Sequence, residues 1–300
     1  MPTDSPKGQL SQIKRTFRYN KNFAAFWLLL PFLLLVAIFK IWPTIWAPWM
    51  ATQNYTLVGT TFIGLENFQA LLERDSVLQA FRVTAVISFI RIPIAMGFGL
   101  AGALAINSVY VKRKSIWRTL YISPIVVAPV IVAIIASLFF GLGGVINQIT
   151  FNLWEFRIAY LNDPLFAKIS VAFAGAYVDI AICFIFFMAG LAGIDYNLYR
   201  AAQVDGADRL QQFRHVTIPQ LRPILVLVLI FLTNRSLKMF AEPQVLTRGG
   251  QPGGETRTVV VLLYQEAFVN LNLGFAAAIG VLLTTLIAGI IVVQYKYFSE

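Results

Sequence analysis

Five charged or strongly polar residues interrupt long apolar runs of this 300-residue sequence. They are Arg91, Asp179, Asn234, Arg235 and Lys238. Lys238 follows Arg235 by three positions and Asn234 by four, so on a helix these side chains lie on one face. If Asp179 neutralises one base, a surplus of two positive charges remains. Guanidinium and ammonium groups pair with carboxylates and phosphates, so this arrangement indicates recognition of an anion rather than bond breaking.

The sequence lacks the residues that most catalytic sites require. It contains one histidine and one cysteine, Cys183, which rules out multi-histidine metal sites, internal disulfides and paired-cysteine zinc or haem motifs. It also lacks the G-x-x-x-x-G-K-[ST] loop with which P-loop ATPases hold nucleotide. We therefore predict no catalytic residue, no metal ligand and no cofactor in this chain.

The composition indicates a protein that crosses a membrane several times. Hydrophobic residues make up 58% of the chain and charged residues 13%, about half the charge that a soluble surface carries. Six apolar runs are long enough to cross a bilayer. They cover approximately residues 23–41, 83–106, 119–140, 169–194, 223–240 and 274–295. The predicted fold class is an all-α membrane protein with six transmembrane helices.

The depth of the charged residues suggests a function for them. An ionisable side chain near the centre of a bilayer costs about 2.5–3.5 kcal/mol, so such residues face protein or a water-filled path. We predict that the five polar residues named above line a translocation path. The alternative is that Arg91 pairs with Asp179 for structural reasons and that Lys238 extends to the outer interface.

The distribution of basic residues predicts the orientation of the chain. The formal net charge is +10, and with a cytoplasmic N-terminus about fourteen of the 24 Lys and Arg residues face the cytoplasm. Residues 1–22 then form a cytoplasmic segment, residues 23–300 form the transmembrane domain, and both termini are cytoplasmic. The positive charge is explained by topology, so no nucleic-acid partner is predicted.

One cytoplasmic connection, residues 195–222, reads as a helical hairpin rather than an ordinary loop. Asp195 can cap a short helix, Gly206 can end it in a left-handed conformation, and Asp208 can cap a second helix. Pro219 is expected to end that second helix. The result would be a compact, rigid projection with a small polar surface that a partner protein can approach closely.

This hairpin resembles the E-A-A loop of ABC importer permeases, whose pattern is E-A-A, two residues, D-G-A, eight residues and I-x-L-P. Residues 200–207 read R-A-A-Q-V-D-G-A, and residues 216–219 read V-T-I-P, in register without a gap. Arg200 takes the place of the glutamate. The residues that the resemblance assigns to docking of an ATPase are Arg200, Ala201, Ala202, Gln203, Asp205, Gly206, Ala207 and Arg214.

Two further segments are similar to carbohydrate-family permeases, the relatives of the maltose, lactose and glycerol-phosphate importers. Residues 62–68 read F-I-G-L-E-N-F, like their F-V-G-L-x-N-Y segment. Residues 246–258 resemble their T-x-G-G-P-x-x-x-T loop, with Gln251 inserted before Pro252. The resemblance implies a type I ABC importer permease fold with a cytoplasmic coupling helix, placed in a bacterial inner membrane.

The resemblance also implies the partners. They are a second homologous permease, a dimer of ATPase subunits that would hold ATP and Mg²⁺, and an extracytoplasmic solute-binding protein. The imported substrate would be a carbohydrate, and the excess of intramembrane bases favours acidic saccharides of the alginate type, with glycerol-phosphate-like solutes second. A secondary transporter or channel for small solutes is the alternative function. It would explain the six spans but not the docking pattern.

Overall fold

The computed structural model describes residues 21–56, 59–108 and 111–298. It contains six helical segments that are long and apolar enough to cross a membrane, as the sequence predicted. They are Phe26–Ala51, Asp75–Asn107, Pro129–Trp154, Pro164–Ala192, Arg209–Leu246 and Leu273–Tyr297. Most of the predicted cytoplasmic segment, residues 1–20, lies outside the described residues.

The helices and strands follow one another along the chain as follows. They are α1 (Lys21–Val36), α2 (Trp42–Ala51), β1 (Gln53–Thr56), β2 (Gly59–Phe62), α3 (Glu66–Glu73), α4 (Asp75–Asn107), α5 (Lys114–Ile122), α6 (Pro129–Phe140), α7 (Val145–Trp154), α8 (Pro164–Ala192), α9 (Tyr196–Val204), α10 (Arg209–Gln212), α11 (Ile218–Leu237), α12 (Ala241–Leu246), α13 (Val259–Tyr264) and α14 (Leu273–Phe298). Short π-helical turns at Ala37–Ile41, Phe213–Thr217 and Gln265–Val269 join neighbouring helices.

The third span differs from the sequence prediction. We predicted one helix over residues 119–140, but α5 ends at Ile122, a 3-10 turn covers Ser123–Val126, and α6 begins at Pro129. Two prolines explain the break, because Pro124 and Pro129 lack the N–H group that a continuous helix requires. The third membrane-crossing segment therefore extends from α6 through α7.

The centre of the bundle is formed by α4, α8 and α11. Arg91 on α4 contacts Asp179 on α8, and the Ser236 hydroxyl on α11 donates to the Ser88 hydroxyl on α4 at 2.9 Å. Arg91 and Asp179 lie near the middle of α4 and α8, about 20–24 Å from the helix ends at 1.5 Å per residue. The charged residues are therefore placed at mid-depth of the bundle.

The end of the bundle opposite the predicted docking hairpin is held together by side-chain hydrogen bonds within its loops and short elements. The β1–β2 hairpin packs beside α3, where Asn67 is buried and donates to the carbonyl oxygens of Ala51 and Gln53 at 2.9 Å each. In the loop after α12, Thr256 donates to Thr247 at 2.7 Å. Both segments that resemble carbohydrate-family permeases are thus ordered parts of this end.

An ion pair also attaches this loop to the transmembrane helices. The Lys168 ammonium on α8 donates a hydrogen bond to Glu255, and the Gln79 amide on α4 donates to the same carboxylate at 3.2 Å. The hydrogen bond from Lys168 is the main reason why the pKa of Glu255 lies below its ordinary value. Burial opposes this effect, and the charge of Lys168 adds to it.

The lowered pKa of Glu255 predicts a pH-dependent contribution to stability. A carboxyl group whose pKa is lower in the folded state stabilises that state above its ordinary pKa of about 4.3, and the contribution disappears as the pH falls through the folded-state value. We expect Glu255→Gln to lower the free energy of unfolding by about 1 kcal/mol or less at pH 7, because the pair is partly exposed. Thermal unfolding of the two proteins should converge as the pH falls below the folded-state pKa of Glu255. A deficit that persists there would contradict the assignment.

Candidate functional site

The first half of the predicted docking hairpin forms as the sequence indicated. The Asp195 carboxylate accepts a hydrogen bond from the Asn197 N–H at 2.9 Å and caps α9. Gly206 follows the helix with a φ of +81°, in the left-handed region that favours glycine. The Ala207 N–H then donates to the Ala202 carbonyl at 2.8 Å, which closes the end of the helix.

The second half begins with a complete capping box. The Asp208 carboxylate accepts from the Gln211 N–H at 2.7 Å, and the Gln211 side chain accepts from the Asp208 N–H at 2.8 Å. Two backbone N–H groups at the start of α10 thereby gain partners. The turn between α9 and α10 is therefore fixed by a backbone hydrogen bond across Gly206 and by the side chains of Asp208 and Gln211.

The prediction that Pro219 ends this second helix was wrong. The helical path continues from α10 through the π-helical turn Phe213–Thr217 into α11. The Ile218 N–H donates to the Phe213 carbonyl, five residues earlier, and Pro219 lies in the first turn of α11, where its missing N–H is tolerated. The hairpin is therefore continuous with the fifth membrane-crossing segment.

The residues assigned to docking lie on the surface of the hairpin. Arg200, Ala201, Gln203, Asp205, Gly206 and Arg214 are exposed, and Ala202 and Ala207 are half-buried. The Arg200 guanidinium lies 5.1 Å from the centre of the Tyr196 ring. This cation–π contact gives a local partner to the arginine that replaces the glutamate of the pattern.

Two apolar residues of the hairpin were missed in the sequence analysis. Val204 is 88% exposed at the end of α9, and Leu210 is 73% exposed on α10. The E-A-A pattern leaves both positions open and therefore did not predict them. Each residue is nevertheless apolar and close to a capped turn, and this is the feature of the sequence that could have identified it. They enlarge the surface around Gly206 that a partner could cover.

The intramembrane charges form a compact cluster. The Arg91 Nε lies 2.7 Å from Asp179 Oδ2, and the Arg235 Nε lies 3.0 Å from Asp179 Oδ1. The Arg91 Nη1 lies 3.3 Å from Glu242 Oε1 on α12. Gly175 makes room for this arrangement, because a Cβ at that position would lie 2.5 Å from Arg91 Nη1. We refer to Arg91, Asp179, Arg235 and Glu242 as the charge cluster.

The charge balance differs from the sequence-based expectation. Asp179 contacts both arginines instead of neutralising one base, and Glu242 provides a second carboxylate that the sequence analysis did not include. The four members of the charge cluster carry no net charge, so the surplus is one positive charge, from Lys238, and not two. The sequence did offer a sign of this role, because Glu242 is acidic and lies two positions beyond the predicted end of the fifth span.

A cavity of about 350 Å³ lies beside the charge cluster. Its lining includes Asn234, Arg235, Lys238, Arg91 and Glu242. The structure therefore brings four of the five predicted path residues to one cavity, and the fifth, Asp179, lies beneath them with a side chain 1% exposed. Arg91 is 3% exposed and Arg235 34%, so Arg235 offers more of its surface to the cavity.

The fold has six apolar helical segments, a mid-depth cavity whose lining includes four charged residues, and an exposed helical hairpin between the fourth and fifth spans. These features define a multi-span transport permease of the ABC importer class. The chain belongs to the family described as binding-protein-dependent transport system inner membrane components, whose model matches residues 95–299. It is thus a transport subunit rather than an enzyme. Membership in this family also excludes the secondary transporter or channel that the spans alone had left open.

Full-length relatives support this assignment. The chain is 31% identical to the sn-glycerol-3-phosphate transport system permease protein UgpA of Pectobacterium atrosepticum, over 94% of this chain and 96% of that protein. It is 32% identical to UgpA of Agrobacterium fabrum, with 91% and 94% covered. It is 28% identical to the arabinooligosaccharides transport system permease protein AraP of Bacillus subtilis, with 94% and 90% covered.

Solved structures confirm the fold. A bacterial ABC transporter involved in the import of the acidic polysaccharide alginate contains a chain that matches with a TM-score of 0.82 at 22% identity, covering 96% of this chain and 98% of that one. A bacterial alginate ABC transporter in complex with an alginate pentasaccharide-bound periplasmic protein matches with a TM-score of 0.80 at 24% identity, with 93% and 96% covered. The ABC importer permease fold expected from the sequence is thus the observed fold.

Proposed function

We propose that this chain is one half of the translocation path of a binding-protein-dependent importer for acidic saccharides of the alginate type, with glycerol-phosphate-like solutes as the second candidate. The observation that carries the proposal is the mid-depth cavity lined by Arg235 and Lys238. A neutral sugar needs hydrogen-bond partners but no surplus of positive charge. An acidic sugar needs a cation to replace the water that solvates its carboxylate.

The chemistry of the relatives is consistent with an acidic substrate. sn-Glycerol-3-phosphate and alginate, for which the UgpA systems and the two solved transporters are named, are both anions, whereas arabinooligosaccharides are neutral. An oligosaccharide with one carboxylate per sugar combines the two features, a saccharide chain and negative charge. This combination supports the alginate-type class over a small phosphate ester.

The hairpin, residues 195–222, is proposed as the coupling loop of the permease domain. In this proposal a dimer of separate ATPase subunits binds ATP and Mg²⁺, one ATPase docks against the exposed surface around Gly206, and a second homologous permease completes the path. An extracytoplasmic solute-binding protein delivers the sugar at the opposite end of the bundle. The hairpin then faces the cytoplasm together with both termini, the orientation that the distribution of basic residues favours.

The substrate class can be tested with Arg235→Gln. This change keeps a hydrogen-bonding side chain but removes the charge that a carboxylate would pair with. We expect uptake of a labelled alginate trisaccharide to fall at least about tenfold in cells that carry the variant in place of the native chain. The matched control is Arg118→Gln, which removes an equal charge from an exposed position on α5.

Membrane amounts of both variants should equal that of the native chain. Unchanged uptake of every acidic saccharide tested by the Arg235→Gln protein would refute the acidic-substrate proposal. Loss of sn-glycerol-3-phosphate uptake, with uptake of the trisaccharide unaffected, would favour the second substrate class.

A further inference from the structure

We propose that Asp179 is an internal stand-in for the acidic group of the substrate. In this proposal Asp179 holds Arg235 before substrate enters, and a substrate carboxylate then takes over Arg235 together with Lys238. The inference rests on the proposed function, because it assumes that the cavity receives an acidic saccharide. It adds which group holds Arg235 before the substrate binds and how many carboxylates the site accepts at a time.

The two arginines of the charge cluster are held very differently. Arg91 is 3% exposed and is fixed by two carboxylates, Asp179 through Nε and Glu242 through Nη1. Arg235 is 34% exposed, and its contact with Asp179 is made through Nε alone. A single-nitrogen contact is weaker than the bidentate contact that a guanidinium can form. Arg235 is therefore the arginine that a ligand in the cavity can recruit.

Asp179 can release Arg235 without losing its own ion pair. The Arg91 Nε remains 2.7 Å from Asp179 Oδ2, on the carboxylate oxygen that Arg235 does not use. A buried carboxylate without a partner would carry the full cost of desolvation, and Arg91 prevents this. The missing Cβ of Gly175 leaves the space that the Arg91 guanidinium occupies beside Asp179.

The charges around the cavity set the number of carboxylates that are bound. The two arginines and two acids of the charge cluster cancel, and Lys238 at the end of α11 adds one positive charge to the cavity lining. One substrate carboxylate restores neutrality. A second carboxylate in the same cavity would be in excess and would be repelled. The geometry thus points to recognition of one acidic sugar unit at a time as the saccharide passes.

The exchange can be tested by measuring the Kd of a labelled alginate trisaccharide for the purified permease–ATPase complex, in nanodiscs and without binding protein. Asp179→Asn removes the internal competitor for Arg235 while Arg91 keeps Glu242. We expect the Kd to fall by about tenfold, the change that corresponds to one charge-assisted hydrogen bond. Binding of neutral maltotriose should not change.

Glu242→Gln is the matched control. It removes the same charge from the same cluster. In the structure, however, Glu242 forms its ion pair with Arg91, whereas Arg235 forms its ion pair with Asp179. A general gain in positive potential would lower the Kd equally in both variants, whereas exchange predicts a change within about threefold for Glu242→Gln. Copurification of the ATPase and the thermal unfolding midpoint establish that each variant is assembled.

The outcomes separate the two levels of the proposal. If Arg235→Gln leaves the Kd for the trisaccharide unchanged, the acidic-substrate function fails and the exchange fails with it. If Arg235→Gln weakens binding but Asp179→Asn either weakens it or matches Glu242→Gln, the exchange alone is overturned. Should Asp179→Asn fail to assemble, a structure of the native complex with the trisaccharide decides. The Arg235–Asp179 distance should exceed 4 Å there, and the Arg91–Asp179 pair should remain.

Discussion

Replacement of Gly206 by valine should abolish transport and release the ATPase from the permease while membrane insertion remains normal. Gly206 has a φ of +81°, which a β-branched residue adopts only at considerable cost. A Cβ at this position meets no atom of the chain within 4 Å, so valine would project from the surface where a partner is expected to pack. We expect uptake to fall at least about hundredfold, and the ATPase should be lost from affinity-purified permease.

Gly64→Val is the matched control for this experiment. Gly64 has a φ of +63° and also has open space around its missing Cβ, but it lies between β2 and α3, away from the hairpin. The two variants impose a similar backbone strain, and the Gly64 variant should retain its ATPase. Equal loss of the ATPase in both would show that the effect is unfolding, and undiminished uptake by Gly206→Val would refute the docking role.

Replacement of Arg91 by methionine should have the largest effect on stability in the charge cluster. Arg91 is 3% exposed and pairs with both Asp179 and Glu242, so its loss leaves Glu242 without its recorded ion-pair partner and Asp179 with only the partly exposed Arg235. Breaking a buried ion pair by removal of one member typically costs about 3–5 kcal/mol. We expect little folded permease in the membrane and a strongly lowered thermal unfolding midpoint in detergent.

Two further variants make this prediction specific. Arg235→Met removes the more exposed arginine and leaves Asp179 paired with Arg91, so its unfolding midpoint should lie much closer to that of the native chain. The combination of Arg91→Met with Asp179→Asn and Glu242→Gln removes both acids that Arg91 pairs with and should recover much of the lost stability. A stable Arg91→Met protein, or no recovery in the combined variant, would contradict this account.

The continuity between the hairpin and α11 suggests how motion at the surface reaches the cavity. The helical path passes through Phe213–Thr217 without a break and reaches Arg235 about 25 Å beyond Ile218, at 1.5 Å per residue. If the proposed ATPase partner moves the hairpin, it therefore also moves Arg235, the arginine that is proposed to meet the substrate. Nucleotide hydrolysis in the partner could then change the position of Arg235 relative to Asp179 in this chain.

Much of the architecture could be predicted from local sequence. Apolar length predicted six spans, and capping residues predicted where α9 and α10 begin, because both signals act within a few residues. The interruption between α5 and α6 was also readable in principle from Pro124 and Pro129. The continuation of the helix past Pro219 could not be predicted in this way. A π-helical turn precedes this proline and accommodates it, whereas an ideal α-helix would be interrupted there.

The sequence by itself determined six segments long and apolar enough to cross a membrane, a capped hairpin between the fourth and the fifth, and ionisable groups within the long helices. Only the tertiary structure decided which of those groups meet. Asp179 and Arg235 are 56 residues apart and Arg91 is 88 residues from Asp179, so their pairing depends on how α4, α8 and α11 pack. Glu242 joins them because α12 folds back onto this packed core. Helix formation is a local process, whereas charge compensation in a membrane requires partners from distant segments.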